Sequence, residues 1–191
     1  MKAMQYVNVG YQRILTFECE SGGFNWWEGD NPGNPILTAL AIMMLRDTQK
    51  VYDAVDEAVL TRARDYLEGL QKGDGSWGED RHLHAGNENL GAGTLRSTCY
   101  ITWGLVEGGY QDRGSVKKAL KYIEKGVKKE EDIYTLGLCA NALAVAGRKG
   151  GALDGALKTI RKAGIEDGDT LHWEQKGHTL VYSAGKAAHV E

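Results

Sequence analysis

Hydrophobic positions recur at helical spacing along almost the whole chain, and the helices they predict alternate in character. Residues Lys2 to Phe17 place Met4, Val7, Tyr11, Ile14 and Leu15 on one side. Asn31-Pro32-Gly33-Asn34-Pro35 interrupts the chain, with Asn34 as the expected N-cap and Pro35 at the first helical position. From Asn31 to Leu45 no residue is charged, and a helix apolar all round is buried all round. Asp53 or Asp56 caps the next helix, which runs to about Gln71 with Val59, Leu60, Ala63, Tyr66, Leu67 and Leu70 on one face. Thr94 to Glu107 is again mostly uncharged and stops at Gly108-Gly109. Ser115 to Lys129 is amphipathic with a lysine-rich exterior, Ile133 to Gly147 carries no charge, and Gly151 to Ala163 returns to the amphipathic type. The order is outer, inner, outer, inner, outer, inner, outer.

Glycine-rich turns carrying an aromatic residue punctuate this alternation. Leu70-Gln71-Lys72-Gly73-Asp74-Gly75-Ser76-Trp77-Gly78 joins an outer to an inner helix. Its glycines supply the positive φ that ends a helix and reverses the chain, and its tryptophan is expected to plug the junction. Ser21-Gly22-Gly23-Phe24-Asn25-Trp26 echoes it, as does Asp167-Gly168-Asp169-Thr170-Leu171-His172-Trp173 more weakly. Pairing Trp26 with Trp77 gives a repeat of roughly 50 residues, the range of stacked or ring arrays. The expected fold is all-α, an incomplete α/α toroid with the uncharged helix of each pair at the centre. Residues 1–191 read as a single domain, in which His178 to Glu191 leads into a further inner helix.

Composition adds limits. The 191 residues suffice for one domain with a real core. A net charge of −3 gives no reason to expect nucleic acid or an anionic membrane as partner. No run of 18 apolar residues and no signal-peptide core are visible. Cys19, Cys99 and Cys139 are odd in number, far apart and without a CxxC pair, so they read as three structural thiols and no disulfide. The lysine strip Lys117, Lys118, Lys121, Lys125, Lys128 and Lys129 has Glu124, Glu130 and Glu131 interleaved and reads as a solvated outer face.

Six strings, in order, carry a family resemblance. Gly10-Tyr11-Gln12-Arg13-Ile14-Leu15-Thr16-Phe17, then Gly22-Gly23-Phe24-Asn25-Trp26, resemble the thioester domain of alpha-2-macroglobulin and complement after its reactive motif. Leu37-Thr38-Ala39-Leu40 is similar to that family's Leu-Thr-Ala-Tyr inner helix, and Gln71 to Trp77 to its Gln-x-x-Asp-Gly-Ser-Phe/Trp turn. Leu95 to Tyr100 and Asp132 to Leu136 resemble strings of bacterial members. The resemblance implies an α/α toroid within a large secreted, periplasmic or surface protein. It implies as partners the other domains of that polypeptide and, through it, target proteases, which a thioester captures covalently after bait cleavage. The reactive Gly-Cys-Gly-Glu-Gln motif is not here: Cys19 is followed by Glu20-Ser21-Gly22 and Cys139 by Ala140-Asn141-Ala142. The chain therefore resembles the part downstream of the motif, with no catalytic residue, cofactor or metal of its own and no membrane insertion. Missing toroid helices are expected to leave apolar surface bare.

Other chemistry is thin. His84 matches the histidine with which complement-type members attack the thioester, provided one residue is deleted; His82 and His84 otherwise read as an exposed loop pair. With His172 or a distant cysteine they would hold zinc only if three or four ligands converged. Terpene cyclases and prenyltransferase β-subunits share the glycine turn and the toroid, and form the enzymatic alternative; a pure interaction scaffold is the third. The cyclase Asp-x-Asp-Asp string is absent, and Asp53-Ala54-Val55-Asp56 has the wrong spacing. Trp26, Trp27, Trp77, Trp103 and Trp173 read as packing between helix pairs rather than as a ligand pocket.

Overall fold

The structure, a computed structural model, describes residues 2–27, 32–78 and 93–174. Its helices are α1 (Lys2–Leu15), α2 (Pro35–Gln49), α3 (Glu57–Leu70), α4 (Thr94–Glu107), α5 (Gly114–Gly126), α6 (Ile133–Val145) and α7 (Gly151–Lys162). A 3-10 turn, Val127–Lys129, extends α5. A two-stranded antiparallel hairpin, β1 (Ile165–Asp167) and β2 (Thr170–His172), follows α7. Among the described residues the fold is all-α apart from this hairpin.

Capping sets the helix starts where short polar side chains replace missing backbone acceptors. Asn34 accepts from the N–H of Leu37 at 2.9 Å, with Pro35 opening α2. Asp56, not Asp53, caps α3 by accepting from Ala58 N–H at 2.8 Å. Asp132 caps α6 through Thr135 N–H at 2.8 Å.

Two layers result. The largely uncharged helices α2 and α6 pack on either side of α4, and α3, α5 and α7 cover one side of this inner layer. The inner helices run parallel: Ala39 approaches Gly104, Arg46 reaches the carbonyl of Gly108, Arg96 meets Asp132 and Cys99 meets Cys139, so contacts advance together along both chains. Parallel inner helices are what intervening antiparallel outer helices must produce. Residues Ile42, Leu45, Leu60, Leu67, Ile101, Leu105, Ile123 and Leu143 fill the space between layers and are wholly sealed from solvent.

Two glycine turns are structural copies. In the first, Cys19 N–H donates to Gly23 O (2.8 Å) and Gly22 N–H to Cys19 O (2.9 Å). In the second, Lys72 N–H donates to Ser76 O (2.8 Å) and Gly75 N–H to Lys72 O (2.9 Å). Gly22 and Gly75 have φ of 82° and 91°, and each turn rests on the backbone of the next outer helix, at Arg62 and Lys118 respectively. This superposition equates Phe24, not Trp26, with Trp77. Phe24 is buried and takes the plugging position, which leaves Trp26 and Trp27 at the surface, 47% and 74% exposed. The expectation that all five tryptophans pack helix pairs together fails for these two.

Three further expectations change. The stretch Asp167 to Trp173 is not a helix-joining turn. Gly168, at φ 60°, and Asp169 close a two-residue hairpin loop with Asp167 paired to Thr170. Helix α1 ends at Leu15 and buries only Tyr11, while Met4 stays 46% exposed, because α1 packs only sparsely against α2. Cys99 and Cys139 are joined by a disulfide rather than remaining thiols; Cys19 alone is free, and buried. They lie at nearly the same depth in two parallel, adjacent helices, which brings their Cα atoms to 4.9 Å, within bridging range. His82, His84 and the expected helix from His178 onward lie outside the described residues.

Candidate functional site

The side of the inner layer turned away from α3, α5 and α7 is the region available for function. On α4 it is formed by Arg96, Tyr100, Trp103 and Glu107, spaced one helical turn apart. Leu40 of α2 and Val145 of α6 flank them, 37% and 40% exposed.

Its polar groups are engaged with one another. Arg96 Nε donates to Thr135 Oγ1 at 2.9 Å and its Nη2 to Asp132 Oδ1 at 3.0 Å, while the guanidinium lies 5.4 Å from the centre of the Tyr134 ring. The same Asp132 carboxylate caps α6, so one ion pair ties the start of α4 to the start of α6. Trp103 stands edge-on to Tyr100 with centroids 5.8 Å apart and donates from Nε1 to Glu107 at 3.2 Å. Burial, with a smaller contribution from the charge of Tyr134, pushes the Tyr100 hydroxyl up to about 12. At neutral pH it is a phenol and no base.

Next to this face, α1, the first glycine turn and α2 enclose an apolar cavity of about 240 Å³ lined by Ile14, Phe17, Phe24, Trp26, Leu40 and Met44. Asn25 is its one polar edge. Its Nδ2 donates to Pro32 O at 2.7 Å and its Oδ1 accepts from the N–H of Trp26 at 2.7 Å, so both ends of the amide have partners.

These surfaces hold mostly apolar and aromatic groups, and among the described residues they place no nucleophile beside a base. Among the described residues no three His, Cys, Asp or Glu side chains converge as a metal site would require. The position of His172, half-buried on β2, brings it to no such group. The remaining thiol, Cys19, is pushed up by burial and by the neighbouring Glu18, which disfavours the reactive thiolate. Sequence reading missed the Arg96–Asp132–Thr135 link. Its signal was present as an Asp-x-x-Thr cap opposite an arginine one turn into the preceding inner helix.

Fold and surface together define a helical domain of paired helices in two layers, with a largely apolar and aromatic inner face and glycine turns locking each pair to the next. The family model for the A-macroglobulin TED domain, the thioester domain of the alpha-2-macroglobulin type, matches residues 1–189, and the chain belongs to this family. Members are domains of large multidomain proteins, in a non-enzymatic family of protease inhibitors and complement components. No helix among the described residues is long and apolar enough to cross a membrane.

Proposed function

We propose that this chain is scaffold in the thioester domain of a bacterial alpha-2-macroglobulin-like endopeptidase inhibitor, which entraps proteases. The observation that carries this reading is the inner face: largely apolar and aromatic, with Arg96 held by Asp132 and Thr135 and Glu107 accepting from Trp103, it is suited to seat helices and keep water away. A thioester hydrolyses when wet, so a dry seat serves it. The three cysteines are each followed by sequences without a glutamine three residues on, so the reactive bond is supplied from elsewhere in the polypeptide. In this reading the two layers form part of an α/α toroid. The protein works outside the cytoplasm, where a disulfide such as Cys99–Cys139 persists. His84 is the candidate for acyl transfer from the thioester to hydroxyl groups.

Isotope-labelled methylamine added to the native full-length protein tests this. One label incorporated with one new thiol, read by mass spectrometry, is the expected result. An unlabelled polypeptide hardly larger than this chain would sink the inhibitor reading. A His84→Ala variant that loses transfer to glycerol but keeps transfer to methylamine would support the acyl-imidazole role; unchanged glycerol transfer would remove it.

A further inference from the structure

The net charge of −3 conceals a strong segregation. Residues 113–162 hold twelve of the 23 lysines and arginines but only five of the 26 acidic residues. On α5 and its 3-10 extension, Val116, Ala119, Leu120, Ile123 and Val127 face the core. Helical geometry then turns Lys117, Lys118, Lys121, Lys125, Lys128 and Lys129 outward, and all six are exposed.

Helix α7 packs beside α5 and the 3-10 turn, and Arg148 joins Glu124 across the gap at 3.5 Å. With Ala156 inward, α7 adds Lys158, Arg161 and Lys162 to the same exterior. The acidic residues of this face are Glu124, which is engaged by Arg148, and Asp154, with Glu130 and Glu131 at its end. Elsewhere Arg46, Arg62, Arg64, Arg96 and Arg113 are each consumed in an ion pair. None of the six α5 lysines forms an ion pair among the described residues.

We propose that the outer face of α5 and α7 is a peripheral docking surface for a lipid bilayer rich in anionic headgroups. Four observations favour this occupant. The cations spread over two neighbouring helices and a turn, forming a patch that suits a plane of charges. Eight of the nine are lysines, point charges with long flexible stems. The face offers no exposed aromatic of the kind that anchors a protein partner, since its Tyr122 is half-buried. The Cys99–Cys139 disulfide points to an oxidising compartment, where lipid surface is available and nucleic acid is not the usual ligand. Leu157 is the one large apolar side chain exposed on α7, so attachment is electrostatic and superficial.

The test is co-sedimentation of the full chain with vesicles of equimolar phosphatidylglycerol and phosphatidylcholine, against vesicles of phosphatidylcholine alone. Binding to the anionic vesicles only, weakening as salt is raised, is expected. A Lys117→Gln/Lys121→Gln/Lys125→Gln variant, which adds no new repulsion, should lose roughly a hundredfold in affinity, and the Lys117→Glu/Lys121→Glu/Lys125→Glu variant more. Both should keep the circular dichroism spectrum of the parent. Equal binding to both vesicle types, or anionic binding indifferent to the substitutions, overturns the proposal. Capture by polyglutamate or polyphosphate but not by vesicles overturns the lipid assignment and makes the face a site for a soluble polyanion.

Discussion

The backbone N–H of Trp77 donates to Thr98 Oγ1 at 3.0 Å, and Phe24 N–H donates to Thr38 Oγ1 at 2.9 Å in the preceding helix pair. Each threonine hydroxyl in turn donates to the carbonyl one turn back, Thr98 to Thr94 at 2.6 Å and Thr38 to Asn34 at 2.7 Å. One hydroxyl therefore satisfies both the end of the glycine turn and the start of the inner helix. All four partners of the two bonds to the aromatic residues are buried.

Replacing Thr98 by valine keeps the shape and strands the buried N–H of Trp77. Equilibrium urea unfolding should show a loss of about 1–3 kcal/mol, and Thr98→Ser should recover most of it. A neutral Thr98→Val would mean that the turn relaxes to find another acceptor.

Trp77 is 1% exposed and donates from Nε1 to Leu67 O at 2.7 Å. Trp173 makes the same kind of bond to Ile160 O at 2.6 Å after α7. Trp77→Ala removes the plug between α3 and α4 and should cost about 3–5 kcal/mol. Trp173→Ala, at a half-buried site, should cost less. Thermal denaturation of the two variants side by side checks the order.

The Cys99–Cys139 bridge closes a loop with a sequence separation of 40, for which chain-entropy reasoning gives about 4 kcal/mol of stabilisation. Both sulfurs are sealed between α4 and α6. Thiol titration should find none reactive in the native chain, one after denaturation, and three after denaturation with reductant. Three thiols without reductant would show that the bridge does not form.

Gly75 cannot become alanine without strain. Its φ is 91°, and a Cβ there would stand 2.7 Å from the Lys118 carbonyl group. Gly75→Ala should destabilise by more than about 1 kcal/mol, whereas Gly137→Ala, in the middle of α6 with open space around it, should stabilise by about 0.5–1 kcal/mol. Opposite signs in one melting series are the expected outcome.

Arg46 grips Glu57 with two bonds of 2.7 Å, and Gln49 adds a third at 3.0 Å. The hydrogen bond from Arg46 is the main cause that holds the Glu57 carboxyl below its ordinary value of 4.5, against a smaller opposing effect of burial. A depressed folded value contributes stability above the unfolded value, and that contribution is lost as pH falls through the folded one. Stability should therefore decline below pH 4.5, and Glu57→Gln should flatten that decline while leaving the alkaline side unchanged.

The alternation was legible because α6 and the first eleven residues of α2 lack charge, whereas a half-solvated helix keeps charge on one face; burial on all sides did not follow, since Leu40, Met44 and Val145 are 37%, 44% and 40% exposed on the side that no outer helix covers. Caps were legible for a local reason: Asn34-Pro35 and Asp56, one of the two aspartates expected before α3, act on backbone groups within three residues. Trp26 misled because an aromatic two residues beyond a glycine turn looks equivalent in sequence; only the hydrogen-bond pattern of the turn, which ends at Phe24, identifies the buried one. The hairpin after α7 was equally hidden, since Gly168-Asp169 suits a helix stop and a two-residue strand loop alike.

The all-α order of alternating helices, the starts of α2, α4, α6 and α7, and the family could be read from the amino-acid sequence, because each depends on periodicity or on short-range capping; helix ends were looser, α5 giving way to a 3-10 turn three residues before the expected Lys129. Tertiary structure alone decided the Cys99–Cys139 bridge, the Arg96–Asp132 tie between inner helices, and the gathering of α5 and α7 cations on one exterior. Those depend on which helices become neighbours and at what depth, and no local pattern in a chain encodes the alignment of residues some forty positions apart.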